Sequence, residues 1–231
     1  MHLPPELLDT QAQLDTALAA LEDSPVLALD TEFVRESTYY AQLCLLQVGN
    51  PAHIACIDPL AGLELGAFWK LVLDARPLTI MHAGRQDLEL IWQHTGQLPE
   101  RLFDTQVAAG LLGYPAQIGY AGLVEQMLGV KLDKSHARTD WSRRPLPADK
   151  LAYAADDVRY LLIIQEQLAE RLDAEGRAAW AEEDCAALLD PTLYRNPPLD
   201  AWERLKGLRR LQGRSRAAAR ALAAWRETTA E

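Results

Sequence analysis

The sequence predicts an α/β fold: a mixed five-stranded sheet flanked by helices, with a helical extension at the C-terminus. Three strand-like segments follow one another early (26–32, 42–48 and 53–57), and strands then alternate with helices. From about residue 147 the pattern is helical throughout, interrupted only by prolines near 191 and 197. A chain of 231 residues has room for one sizeable domain or a domain with an appendage.

Thr10–Glu22 reads as a helix, with Thr10 and Gln13 at capping-box spacing. Val26–Glu32 is apolar until its carboxylates and reads as a buried strand. Gln42–Val48 and His53–Ile57 are further strands, separated by the turn signal Gly49-Asn50-Pro51. A helix over 61–75 precedes a short strand, Leu78–His82, and a helix from Gly84 to His94. FDTQVAAGLL ends the fifth strand and begins another helix, and 120–129 is helical too. Residues 130–147 are polar, Arg-rich and irregular. Pro147 suits the first position of one long helix over 147–172, and a further helix covers 174–189. Asp190-Pro191 and Asn196-Pro197-Pro198 mark a linker. The spacing beyond it predicts one amphipathic helix or a kinked pair, with Trp202, Leu205, Leu208, Leu222 and Trp225 as the apolar side. The expected division is a domain over 1–190 and a linker with a helical region over 191–231.

The net charge of −10 argues against a surface coated with basic residues for duplex binding. The charge is unevenly spread. Residues 201–231 carry eight of the 23 basic residues and three of the 33 acidic ones, leaving 15 bases against 30 acids elsewhere. An acidic body with a basic tail suits an enzyme that takes a short single-stranded end into a cleft, and also describes a solvated Arg-rich helix. No apolar run is long enough to cross a bilayer, and MHLPPELLDTQ lacks the features of a secretory signal. Cys44, Cys56 and Cys185 are odd in number and widely spaced, which fits reduced thiols and a cytoplasmic location.

Three segments place carboxylates beside apolar residues: Asp30 and Glu32 in VLALDTEF, Asp87 in IMHAGRQDLELI, and Asp156 and Asp157 with Tyr153 in LAYAADDVRYLL. Burying such charges is costly, and a pair of hard divalent cations compensates it. Asp30 and Glu32 project from the same face at the end of a strand, about 6.6 Å apart at Cα. Asp87 lies in the first turn of the helix after a second strand, where the helix dipole also favours an acid. Tyr153 and Asp157 share a helix face at i, i+4, with Asp156 at i+3 as the competing candidate and Tyr160 extending the face. None of the five histidines shows metal-ligand spacing.

In this order and spacing, DTEF, HAGRQDLE and YAADD resemble the three motifs of the DEDD exonucleases of the RNase H-like fold, ribonuclease D branch. STYYAQLCLLQVG and LDKSHARTDWSRRPL resemble the intervening segments, so the likeness covers about 20–175. DAWERLKGLRRLQGRSRAAARALAAWRE resembles, more weakly, the start of the helical HRDC module. Only about one helix of that module is present, so a shortened piece or a short family member is expected. The resemblance selects Asp157 over Asp156, and Tyr153 marks the tyrosine form of the family.

The resemblance implies two divalent ions, Mg²⁺ or Mn²⁺. Asp30, Glu32 and Asp157 are then ligands of the first, Asp30 bridges to the second, and Asp87 acts there directly or through water. Hard oxygen donors disfavour zinc. Tyr153, a phenol of pKa about 10, is a poor base and a better positioner of the attacking water. The implied activity is 3′→5′ removal of 5′-mononucleotides from RNA, with tRNA precursors bearing a single-stranded 3′ end as partner. A DNA 3′→5′ exonuclease is the alternative, and a catalytically silent nucleic-acid-binding module the third reading. Phe33, and Tyr39 or Tyr40, are candidates to stack on bases, and each also suits a core or strand-edge position. His82 is either a contact to the 3′ nucleotide or a structural histidine. Lys134, Arg138, Arg143 and Arg144 form a basic loop suited to phosphate contact.

Overall fold

Six strands form one mixed sheet: β1 (Leu7–Leu8), β2 (Val26–Val34), β3 (Gln42–Gly49), β4 (Ile54–Ile57), β5 (Leu78–Met81) and β6 (Leu102–Asp104). Their order across the sheet is β1-β4-β3-β2-β5-β6. The computed structural model describes residues 5, 7–35, 38–133, 139–195, 197–207 and 210–230. The five strands expected from sequence are all present. The sixth, β1, is two residues long, too short for periodicity to reveal, and runs parallel to β4 at one edge. The meander β2-β3-β4 is antiparallel, while β5 and β6 are added parallel beside β2.

Helices cover both faces: α1 (Gln11–Leu21), α2 (Gly66–Val72), α3 (Arg85–Thr95), α4 (Thr105–Leu111), α5 (Tyr120–Leu128), α6 (Ala148–Arg159), α7 (Leu161–Ala174) and α8 (Ala178–Ala187). The capping box at Thr10 and Gln13 starts α1. Alternation along β2 sorts its side chains. Leu27 and Leu29 join Leu14, Leu21, Phe68, Leu88 and Ile91 in a core under α1, α2 and α3. Ala28 faces the other way, against Ile80, Val158 and Leu161.

Helix α6 lies close on that second face because its inward residues are small. Ala154 and Ala155 are fully buried against Cys44, Leu45 and Cys56. Overpacking such a seam costs about 1–3 kcal/mol. The closeness matters for function, because the next turn of α6 carries Asp157.

The single long helix expected over 147–172 is two helices. Tyr160 (φ −95°, ψ −10°) ends α6, and α7 begins at Leu161. The cause is Tyr120 at the start of α5. Its hydroxyl donates to the Asp156 carbonyl (2.9 Å) and accepts from the Tyr160 N–H (3.3 Å). In a continuous helix those two groups would bond to each other. A side chain inserted into the ladder is a recognised cause of a kink.

Beyond α8, a 3-10 segment, Pro198–Arg204, packs against α9 (Gly213–Ala230). Trp202 is buried there, with the guanidiniums of Arg216 and Arg220 at 4.7 and 5.0 Å from its ring centroid. The apolar side expected for this region is split. Trp202 and Leu205 join the small core, Leu222 and Trp225 are exposed, and Leu208 lies outside the described residues. The α9 face turned inward is set by Ala223 and Glu227 instead. Among the described residues no helix is long and apolar enough to cross a membrane.

Candidate active site

Asp30, Glu32 and Asp157 each place a carboxylate oxygen within 4.8 Å of the others'. Two come from the middle and C-terminal half of β2, which runs on to Val34, and the third from α6, brought down by the alanine seam. They line a cleft of about 420 Å³ together with Phe33, His82, Asp87, Tyr120, Trp141 and Tyr153. Asp156, the competitor on α6, turns away and pairs with Arg159 at 2.7 Å.

Asp87 approaches from the opposite side of the sheet. Thr31 alternates with Asp30 and Glu32, so it faces α3, and its hydroxyl donates to the Asp87 carboxylate. The HAGRQ turn sets the position of α3. Ala83 has φ 54°, a left-handed conformation unusual for a residue with a side chain. Gly84 follows where an added Cβ would come within 2.7 Å of the Met81 side chain, so only glycine fits. The buried Asp104 carboxylate holds this turn by accepting from the N–H groups of Ala83 (3.1 Å) and Gly84 (2.8 Å). It also caps α4 through the Gln106 and Val107 N–H groups.

The electrostatics of the cleft are those of crowded anions. Burial, then the charges of Asp87, Asp157 and Glu32, push Asp30 well above the usual carboxylate range. Glu32 is pushed up to about 8 by burial and by Asp157 and Asp87. Burial and the neighbouring acids raise Asp157 to about 7. Asp87 rises to about 6 by burial, held back by the Thr31 hydrogen bond. Burial and the same carboxylates keep the Tyr153 hydroxyl protonated above its ordinary range. Across from Asp30 on β3, the buried Gln47 has no hydrogen-bond partner for either amide atom among the described residues. Clustered hard-oxygen donors, raised carboxyls and unspent polar capacity fit a divalent cation.

The remaining sequence candidates are distributed differently. A bulge lies between Glu32 and Phe33: Glu32 pairs with Leu45 and Phe33 with Leu43, so Cys44 is extra. Phe33 stays on the Thr31 face, as alternation requires, and like Thr31 it reaches the edge of the cleft. It also packs on the core. His82 lines the cleft with both ring nitrogens engaged, by Thr105 Oγ1 and the Ile118 carbonyl, each at 2.9 Å. Tyr40 sits in a neighbouring cleft. Arg143 is exposed and pairs with Asp140. The phosphate role expected of Arg144 meets a different arrangement. All five of its donors are engaged, by Asp58, Cys44 O, Trp141 O and Arg143 O, so it fastens the loop to the sheet. Lys134 and Arg138 lie outside the described residues.

Thr31, Asp104, Tyr120 and Trp141 were not singled out by the sequence. Asp104 carries a readable signal, an Asp at a strand-to-helix junction. Tyr120 carries none. Because its hydroxyl makes the kink beside Asp157, Tyr120→Phe is expected to lower stability by about 1–2 kcal/mol. A several-fold loss of cation affinity should accompany it. Thermal unfolding and cation titration read both, and a variant that binds the cation as the parent does would refute the link.

This cleft, at the strand ends of an RNase H-like sheet, defines a class. Residues 5–173 match the family model described as 3′-5′ exonuclease, and the chain belongs to that family. Within it, the chain is similar to the protein named ribonuclease D of Nitrobacter hamburgensis, 43% identical over 227 residues, 98% of this chain and 59% of that protein. It is also 43% identical to the ribonuclease D of Sphingobium indicum, over 100% of this chain and 60% of that protein. The crystal structure of Escherichia coli RNase D, described as an exoribonuclease involved in structured RNA processing, superposes with a TM-score of 0.92 at 37% identity. That match covers 99% of this chain and 61% of that one. A structure of Brucella melitensis NrnC with bound Mg²⁺ matches with a TM-score of 0.63 and 27% identity, over 80% of this chain and 90% of that one. The chain thus spans about three fifths of the length of the curated relatives it matches.

Proposed function

We propose that the chain is a divalent-metal-dependent 3′→5′ exoribonuclease that releases 5′-mononucleotides from single-stranded 3′ ends, those of tRNA precursors among them, in the cytoplasm. The observation that carries this reading is the Asp30–Glu32–Asp157 cluster beside Asp87 and Tyr153 in one cleft. The proposal extends to two ions, Mg²⁺ or Mn²⁺, and to residues 1–190 as the catalytic domain. Residues 191–231 are then a linker and the start of an HRDC-like region.

Asp30, Glu32 and Asp157 would hold one cation, and Asp30 with Asp87, which Thr31 fixes, would hold the second. Such ions, when bound, would lower the pKa of a water and neutralise charge developing at phosphorus. Tyr153 keeps its proton at neutral pH, so its hydroxyl orients the attacking water and does not deprotonate it. Phe33 stacks on the terminal base at the cleft wall, and Arg143 is the described loop residue best exposed to meet a phosphate. His82, with both nitrogens engaged, contributes its ring as a surface.

Labelled RNA and DNA oligomers, incubated with Mn²⁺, Mg²⁺ or EDTA, test the reading. A one-nucleotide ladder from RNA that EDTA abolishes is expected. Preference for DNA would support the alternative exonuclease, and no cleavage of either would leave a binding module.

A further inference from the structure

A second cleft, of about 620 Å³, opens between the sheet domain and the C-terminal helical region. Its walls carry aromatic and guanidinium groups: Tyr40 and Trp92 with Arg35, Arg195, Arg204 and Arg226. Phe33 lines the catalytic cleft, and the Arg35 guanidinium, which lines the second, lies 5.9 Å from the Phe33 ring centroid.

The charge balance favours an anion. The acids lining this cleft are Glu89 and Glu227, against four arginines. Glu89 pairs with Arg35 at 2.9 Å. Glu227 is buried at 2% exposure and is gripped by the Tyr39 hydroxyl, Arg204 and Arg226. That grip ties α9 to the segment following β2 and so forms the outer wall. Arg195 is exposed and rests over Trp92, its guanidinium 5.6 Å from the ring centroid. Tyr40 is 42% exposed, braced edge-on by Tyr39 at 4.9 Å between centroids. A chain whose net charge is −10 has concentrated cations and aromatic faces beside its catalytic cleft. Single-stranded nucleic acid is held by this combination, with cations on phosphates and flat rings on bases.

We propose that this cleft is a track for single-stranded RNA. It would hold the nucleotides on the 5′ side of the 3′-terminal residue while that residue occupies the catalytic cleft. The proposal rests on the exoribonuclease reading for its direction, and on the cleft alone for its ligand. Substrates long enough to fill the track bind better than those that reach only the catalytic cleft, and the advantage depends on salt.

The test compares a dinucleotide with an octaribonucleotide in Mg²⁺. Binding of a labelled octaribonucleotide in EDTA is measured in parallel by fluorescence anisotropy. The parent protein is expected to show a KM at least about tenfold lower for the octamer. Arg195→Ala and Tyr40→Ala should each erase most of that advantage, and Arg195→Glu should reverse it. Arg195→Ala should also reduce the slope of log affinity against log salt by about 0.7. An abasic octamer should bind about tenfold more weakly than the normal one, because stacking is lost. Thermal unfolding of each variant separates a folding defect from lost contacts. Equal KM values for dimer and octamer, or variants that keep both the advantage and the salt slope, would overturn the track. Binding in EDTA without cleavage in Mg²⁺ would count against the exoribonuclease reading and leave the variants to judge the track.

Discussion

Asp157→Asn is expected to reduce 3′→5′ nucleotide release by about 10³-fold or more, equivalent to about 4 kcal/mol of barrier. The substitution is nearly isosteric, so the loss comes from charge. Three carboxylate oxygens share a space 4.8 Å across, and a cation among them would offset their repulsion when they are ionised. Removing one negative charge weakens cation binding, so fewer molecules would hold the ion that activates the water. Tyr153→Phe should be milder, about 10–100-fold, because it removes an orienting hydrogen bond and leaves the carboxylates in place. Asp156→Asn is the internal control. Its carboxylate pairs with Arg159 away from the cluster, so activity should stay within a few-fold. Single-turnover rates on a labelled oligoribonucleotide, with Mn²⁺ varied, distinguish the three. If Asp156→Asn and Asp157→Asn were equally damaging, the geometry assigned to α6 would be wrong.

The parts of this fold that were legible in the sequence are those set by local periodicity. Alternation put Asp30 and Glu32 on one face of β2, and the i, i+4 spacing put Tyr153 and Asp157 on one side of α6. The order of the motifs and the family they resemble then chose Asp157 over Asp156, which spacing could not do. What was not legible depends on partners far away in the chain. The apolar pattern through 147–172 reads as one helix, and the break comes from a tyrosine hydroxyl 36 positions upstream of Asp156. Arg144 sits in a basic loop and reads as a phosphate contact, until Asp58, 86 positions away, engages it. Trp225 and Trp202 look equivalent by spacing. Only the packing of Ala223 and Glu227 decides which tryptophan is covered.

Without divalent cations the protein is expected to lose stability as pH rises from about 4 to 8, by several kcal/mol or on the order of 10 °C or more in Tm. Glu32 has an ordinary value of 4.5 and is pushed to about 8; Asp157 moves from 3.8 to about 7, and Asp87 from 3.8 to about 6. A carboxyl raised on folding favours the folded chain fully below its unfolded pKa. That contribution disappears as pH passes through the folded value, so the window follows from these three groups. Above it, the folded protein must hold crowded charges that the unfolded chain would solvate separately. A bound divalent cation reverses the sign, because it prefers the ionised cluster. Mg²⁺ or Mn²⁺ at about a hundred times Kd should therefore restore about 2.7 kcal/mol at pH 8. The gain should be much smaller at pH 5, where protons compete for the same oxygens. Glu32→Gln separates the cation from other sources of stability. Its metal-free form should melt above the parent at pH 8, while its Tm gain from Mn²⁺ falls, since one source of repulsion and one ligand are removed together. Calorimetric scans across this pH range, with EDTA or Mn²⁺, measure each quantity. A metal-free parent whose Tm climbs between pH 5 and 8 would show that the carboxylates are not crowded as the geometry requires.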